Sequence, residues 1–201
     1  MMDMINEMAF DFIYNEAMDD ATRRTNAASI KDKVLKCKDA KIVVFEYAKN
    51  VIVGKNPCFY EYENRFENEI SKVGISGFTF GNIQKLINMT MKYLYIRYYD
   101  GCRENFGCCH APMDSRMIEI VGKMYSNITG ENLGISECAW SKIEKGSTSK
   151  NNLESYKKYQ EGINKIINEK NMFPIEFDFY MWGKDPKKKD ELVLPQENMF
   201  V

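Results

Sequence analysis

Lys85 and Asp114 are the residues whose types and settings most invite chemistry in this chain. Lys85 opens an apolar run, Ile83 to about Tyr98, that carries Leu86, Ile87, Met89, Met91, Tyr93 and Leu94. A lysine desolvated against such faces loses basicity and becomes a competent amine nucleophile. Asp114 lies 29 residues further on, in Pro112-Met113-Asp114-Ser115-Arg116, just before a second apolar run, Met117 to Tyr125. A carboxylate in that place can steady a developing cation or position an attacking group, and the pair suits displacement at a sugar carbon. The return segment, Asp100 to Ala111, reads as a polar loop long enough to bring the start of the second helix back toward the start of the first. The bland readings stand beside these: Lys85 snorkels to solvent at a helix edge, and Asp114 is only an N-cap. Lys85, Asn88 and Lys92 fall at i, i+3 and i+7, which puts them on one polar stripe.

A second constellation is Cys102, Cys108, Cys109 and His110, the last being the only histidine. Two adjacent cysteines do not readily share one tetrahedral site, and no Cys-x-x-Cys is present, so no metal is expected here. Arg103 and His110, with six residues between them, resemble the Arg-x(4–6)-His signature of the all-helical HEPN ribonucleases. That likeness leaves Lys85 and Asp114 without a role, so it stands as the alternative enzyme. A non-catalytic helical module that binds DNA or a nucleotide is the alternative without chemistry, with Lys85 as a phosphate contact.

The elements that must position these residues read as helices. The 201 residues are 44% hydrophobic and 28% charged, with five prolines and twelve glycines, the balance of one globular domain or two small lobes. Ile5, Met8, Ala9 and Phe12 recur at helical spacing, as do Val44, Tyr47, Ala48 and Val51. Asn56-Pro57 breaks the second helix, and an amphipathic stretch from Tyr60 to Val73 ends at Gly74. A turn-rich segment from Gly74 to Asn82 feeds the Lys85 helix. Ser136 opens a short helix containing Trp140, a Gly-Ser-Thr-Ser linker follows, and a last long helix carries Tyr156, Tyr159, Ile163, Ile166 and Ile167. No strand alternation or internal repeat is evident, so the class is all-α. The net charge of −1 gives no bulk steering toward phosphate, and any such contact must come from a local patch. The acidic start lacks the pattern of a signal peptide, no apolar run is long enough for a bilayer, and the six cysteines read as reduced thiols. A cytoplasmic protein without membrane contact is the expectation.

Three stretches together resemble the helix-hairpin-helix DNA glycosylases, and most of all their archaeal 8-oxoguanine branch. Lys85 to Lys92 is similar to the family helix that starts with the catalytic lysine and has another lysine seven residues later. Pro112-Met113-Asp114-Ser115-Arg116 looks like the Pro-x-Asp-x-Arg stretch that holds the catalytic aspartate, and Pro174, Asp178 and Trp182 match a C-terminal Pro-x-x-x-Asp-x-x-x-Trp ending. The likeness covers about Gly74 to Trp182. It departs from the family in the hairpin, where Gly77 and Gly81 are four residues apart and Gln84 precedes Lys85, and it does not extend to the N-terminal seventy residues.

The resemblance implies a two-lobed all-α glycosylase fold in which residues 1–73 contribute to a second lobe, 74–182 form the catalytic core and 183–201 are a basic tail. It implies a monomer that turns a modified base out of double-stranded DNA, excises it and leaves an abasic site, without metal or other cofactor. Lys85 would attack the anomeric carbon and, by Schiff-base chemistry, cleave the strand as an AP lyase, unless water takes that role; Asp114 would stabilise the cationic sugar. Gly77, Gly81, Asn82 and Gln84 in the hairpin would hold a DNA phosphate, with Lys92, Arg116, Lys142 and Lys145 as further backbone contacts. Phe10, Phe12, Tyr14 and Trp140 are candidate walls for the flipped base, although each also reads as core. An oxidised purine such as 8-oxoguanine is the substrate the resemblance favours. The unmatched N-terminal part leaves room for a bulky phage base such as glucosylated hydroxymethylcytosine, which would make the enzyme an anti-phage defence.

Overall fold

The computed structural model describes residues 6–188 and 191–194. Ile5 and the end of the basic tail lie outside these. Among the described residues the chain forms eight α-helices: α1 (Glu7–Thr22), α2 (Lys31–Lys36), α3 (Lys38–Ile52), α4 (Phe59–Lys72), α5 (Phe80–Cys102), α6 (Ser115–Thr129), α7 (Leu153–Ile167) and α8 (Pro174–Trp182). Short 3-10 turns interrupt them, and the only pairing outside helices among these residues is an isolated bridge between Glu144 and Asn152. The protein is therefore all-α. No helix of the described residues is long and apolar enough to cross a membrane.

Two compact units divide the chain between Cys109 and His110, so the hairpin ahead of Lys85 shares its unit with the N-terminal helices. In the first unit α1 packs along α5 and α3 along α4. Phe10, Tyr14 and Met18 of α1, Val44 and Tyr47 of α3, Phe66 of α4 and Ile83, Leu86, Ile87 and Met91 of α5 are withdrawn from water. Burial of each large apolar side chain contributes about 2 kcal/mol. In the second unit α6, α7 and α8 share a core of Met117, Ile120, Val121, Tyr156, Tyr159, Ile163, Ile175 and Phe177. Gly162 marks the close approach of α7: a Cβ there would lie 2.6 Å from Leu133 Cδ2 and 3.2 Å from Val121 Cγ1.

Three local expectations change. The Lys85 helix begins at Phe80 rather than Ile83, because Thr79 and Asn82 form a reciprocal cap ahead of it. It also runs on to Cys102 through a kink at Asp100 and Gly101, where Gly101 takes φ +89°, and a 3-10 turn spans Arg103–Cys108, so little of the expected polar loop is irregular. The short helix around Trp140 is only a 3-10 turn, Trp140–Lys142. The stretch ahead of it is polar and Gly134 has positive φ, which leaves too few residues to nucleate an α-helix.

Candidate functional site

Lys85 is positioned by a helical hairpin. Helix α4 ends in a Schellman arrangement: Gly74, at φ +73°, donates its N–H to Ser71 O at 3.0 Å, and Ile75 donates to Ile70 O at 3.0 Å. The turn continues through Gly77, at φ +83°, to Thr79, whose hydroxyl accepts from Asn82 N at 3.3 Å. Asn82 Oδ1 accepts in return from the Thr79 N–H at 3.3 Å, and Asn82 Nδ2 donates to Ala21 O at 2.8 Å, tying the hairpin to α1.

From Phe80 to Tyr95, α5 is buried except at Lys85, Met89 and Tyr93, one side chain per turn along a single edge. The stripe expected through Asn88 and Lys92 thus runs one step away from the open edge: Asn88 is interior, with Nδ2 donating to Gln84 Oε1 at 3.2 Å, and Lys92 is 7% exposed. Gln84 is interior as well, donating Nε2 to Gly81 O at 3.0 Å. Of the hairpin candidates, Gly77 alone is exposed, whereas Gly81, Asn82 and Gln84 are buried and their side chains and backbone serve the protein. Tyr93 closes the open edge by donating its hydroxyl to Asp20 Oδ2 at 2.5 Å, and burial with this carboxylate drives its pKa well above the ordinary tyrosine value.

Asp114 belongs to the second unit and is held there by α7. It caps α6, accepting from Arg116 N and Met117 N at 3.0 Å each, and its side chain is half-buried. The strand of chain leading to it is latched at three successive residues. His110 Nδ1 lies 2.9 Å from Tyr156 Oη, Gln160 exchanges two bonds with the Ala111 backbone at 3.2 and 2.8 Å, and the Tyr159 hydroxyl donates to Pro112 O at 2.8 Å. Tyr156, Tyr159 and Gln160 stand at i, i+3 and i+4, so one face of one helix sets the position of Asp114. Burial pushes the Tyr159 hydroxyl far up, and the charges of Asp178 and Asp114 push it further. Asp178 is interior on α8, whose start is built by Pro174 at the first turn and by Glu176 accepting from Phe173 N at 2.9 Å.

The remaining candidates divide by exposure. Arg116 is exposed, and its guanidinium donates to Lys184 O from Nε at 3.1 Å and from Nη2 at 2.5 Å, strapping the segment after α8 onto α6. Lys142 is exposed on its 3-10 turn and Lys145 half-buried beside it. Phe10 and Tyr14 are core residues, Phe10 stacking edge-on with Phe45 at 5.0 Å. Phe12 points the other way, 66% exposed, and lines an open groove of about 520 Å³ with Ile13, Glu16, Tyr93, Ile96 and Arg97. Trp140 is buried and Trp182, at the end of α8, is exposed. Arg103 pairs with Glu104 at 2.7 Å, and His110 is half-buried, with desolvation lowering its pKa to about 4. A ribonuclease acid–base histidine must reach its substrate and titrate near neutrality, so this setting argues against the HEPN-like reading.

Sequence reasoning missed Tyr156, Tyr159 and Gln160 as positioning residues. Their helical spacing was legible, but it reads as an ordinary apolar face, and only the hydroxyls and the amide reveal the latch. Comparison with protein families, curated proteins and solved structures finds no match to this chain.

Proposed function

We propose that the protein is a DNA glycosylase that removes a modified base from duplex DNA. The observation that carries the reading is Lys85 itself, a half-buried lysine on the one open edge of the stretch of α5 from Phe80 to Tyr95, entered through a capped hairpin. A rigid helix fixes the place from which the amine acts. In this reading Lys85 Nζ attacks C1′ of the flipped nucleotide and the base departs with the bonding electron pair. The sugar ring then opens to a Schiff base, from which β-elimination breaks the strand. Asp114 stabilises positive charge on the sugar; its fixed orientation, set by the α7 latch, suits a group that must not reorganise during the reaction. The exposed Gly77 turn and the exposed Lys142 are the candidates that remain available to DNA phosphates. The helix-hairpin-helix fold is part of the same proposal, and the substrate class is an oxidised purine or a bulky phage base.

The test is incubation of the protein with duplexes carrying single modified bases, and with DNA from phages that modify their cytosines, followed by alkali. Alkali-labile sites at the modified base support the reading, and their separate loss in Lys85→Ala and in Asp114→Asn ties them to each of these residues. Duplex binding without base release across the panel contradicts it and favours a binding module.

A further inference from the structure

The end of α1 carries two adjacent arginines that the glycosylase reading leaves without a role. Helix α1 stops at Arg23, whose N–H donates to Asp19 O at 2.8 Å, and Arg24 follows it at φ +61°. That position after a helix usually falls to glycine or asparagine, because a Cβ is strained there. Gly74 and Gly130 end α4 and α6 in this way, and among the described residues Asn56 is the only other non-glycine residue with positive φ. Arginine is a poor choice for the turn itself, so its side chain is the feature to explain. The turn is firmly held. Thr25 donates from its N–H and from its hydroxyl to Thr22 O, at 3.0 and 2.9 Å, and the hydroxyl accepts from Ala27 N at 3.2 Å. Arg23 and Arg24 are both exposed. Among the described residues no carboxylate pairs with Arg24, and Arg23 meets Asp20 only at 4.0 Å. The nearby acids are already engaged: Asp19 pairs with Lys31, and Asp20 Oδ2 accepts from the Tyr93 hydroxyl.

We infer that Arg23 and Arg24 form a clamp for backbone phosphates of duplex DNA beside Lys85. The inference rests on the reading of the protein as one that acts on DNA. The place of the clamp follows from α5. Lys85 lies on that helix between Asn82 and Tyr93, and both of these bond to the last turn of α1, Asn82 Nδ2 to Ala21 O at 2.8 Å and the Tyr93 hydroxyl to Asp20 Oδ2 at 2.5 Å. Asn82 Nδ2 also reaches Thr25 Oγ1 at 3.5 Å, on the other side of the two arginines. The arginine turn is therefore fastened to α5 at Asn82, which shares a helix face with Lys85 three residues on. The Gly77 turn adjoins the same end: a Cβ on Gly77 would lie 3.8 Å from Ile30 Cδ1, at the close of the 3-10 turn Asn26–Ile30 that Thr25 caps. A guanidinium offers two parallel N–H donors to phosphate oxygens and stays charged at any working pH. Two of them on a fixed turn have less freedom to lose on binding. From Arg23 to Lys31 the chain holds three cations and no acid, which gives a nearly neutral protein the local patch that phosphate requires.

The test measures binding of the whole chain to an unmodified duplex by fluorescence anisotropy over a series of salt concentrations. Arg23→Gln and Arg24→Asn remove the charges, and asparagine suits positive φ, so the melting temperature of Arg24→Asn is expected at or above the wild-type value. Each substitution is expected to flatten the dependence of log affinity on log salt by about 0.9, and the pair to weaken binding at low salt by about tenfold or more, equally on unrelated sequences. Arg24→Lys keeps the cation and is expected to keep the slope. Wild-type binding that the double variant matches in strength and slope overturns the clamp and leaves the glycosylase reading standing. Wild-type protein that binds no duplex overturns both. Base release from a modified duplex, measured alongside, separates them in the other direction: arginine-dependent binding without base release supports the clamp and contradicts the glycosylase.

Discussion

At the scale of single residues, Asp114 carries a structural and a proposed chemical role that can be separated. Asparagine and serine are also good N-caps, so Asp114→Asn or Asp114→Ser keeps the α6 start and changes stability by only a few tenths of a kcal/mol, as thermal unfolding will report. Alanine removes the cap and costs about 1 kcal/mol. All three lower base release by on the order of 100-fold or more if the carboxylate stabilises the sugar cation. Activity that follows stability across the three variants instead identifies Asp114 as a cap alone. His110 gives a second residue-scale prediction. Its pKa is about 4 when folded, against about 6.5 in an unfolded chain, so the unfolded state binds the extra proton between those values. Stability is therefore full above about pH 6.5 and declines as pH falls toward 4, by up to about 1.4 kcal/mol per pH unit. Between pH 6.5 and 5, where few carboxylates titrate, His110→Gln is expected to show a flatter profile in chemical denaturation than the wild type.

At the scale of elements, α7 is the part that positions the site in the second unit. Tyr159→Phe removes the bond to Pro112 O and is expected to cost about 1 kcal/mol. Gln160→Leu leaves both polar groups of Ala111 without their partner and is expected to cost more, about 2 kcal/mol. Gly162→Ala forces a methyl against Leu133 and Val121 and should cost about 1 to 3 kcal/mol in urea unfolding. The helices were legible in the sequence because their apolar faces repeat at helical spacing: α3, α4, α6 and α7 all fall on runs that such spacing marks. Less legible were features set by polar detail. The Thr79–Asn82 cap moves the start of α5 three residues upstream, placing Gly81, Asn82 and Gln84 inside a buried helix rather than in an exposed turn. The stripe of Lys85, Asn88 and Lys92 was a correct count of spacing, but a stripe does not say which side of it faces water. Contacts with α1 decide that, and they leave Lys85, Met89 and Tyr93 on the open edge.

At the scale of the whole molecule, the charge ledger and the division into units bear on function. The net charge of −1 means that DNA affinity must come from a few local contacts, so its dependence on salt should be shallow. The division between Cys109 and His110 was not visible in the sequence, because a continuous polar segment there carries no linker composition. It puts Lys85 on one unit and Asp114 on the other, each held by its own helices. The account rests on the Lys85 amine, and the most direct measurement is borohydride reduction during turnover on a base-modified duplex, followed by nuclease and tryptic digestion. The prediction is a sugar-derived adduct on Lys85, which blocks cleavage at that residue and leaves a modified peptide spanning 73–92. A trapped adduct on any other lysine, or strand scission that persists in Lys85→Ala, would contradict it.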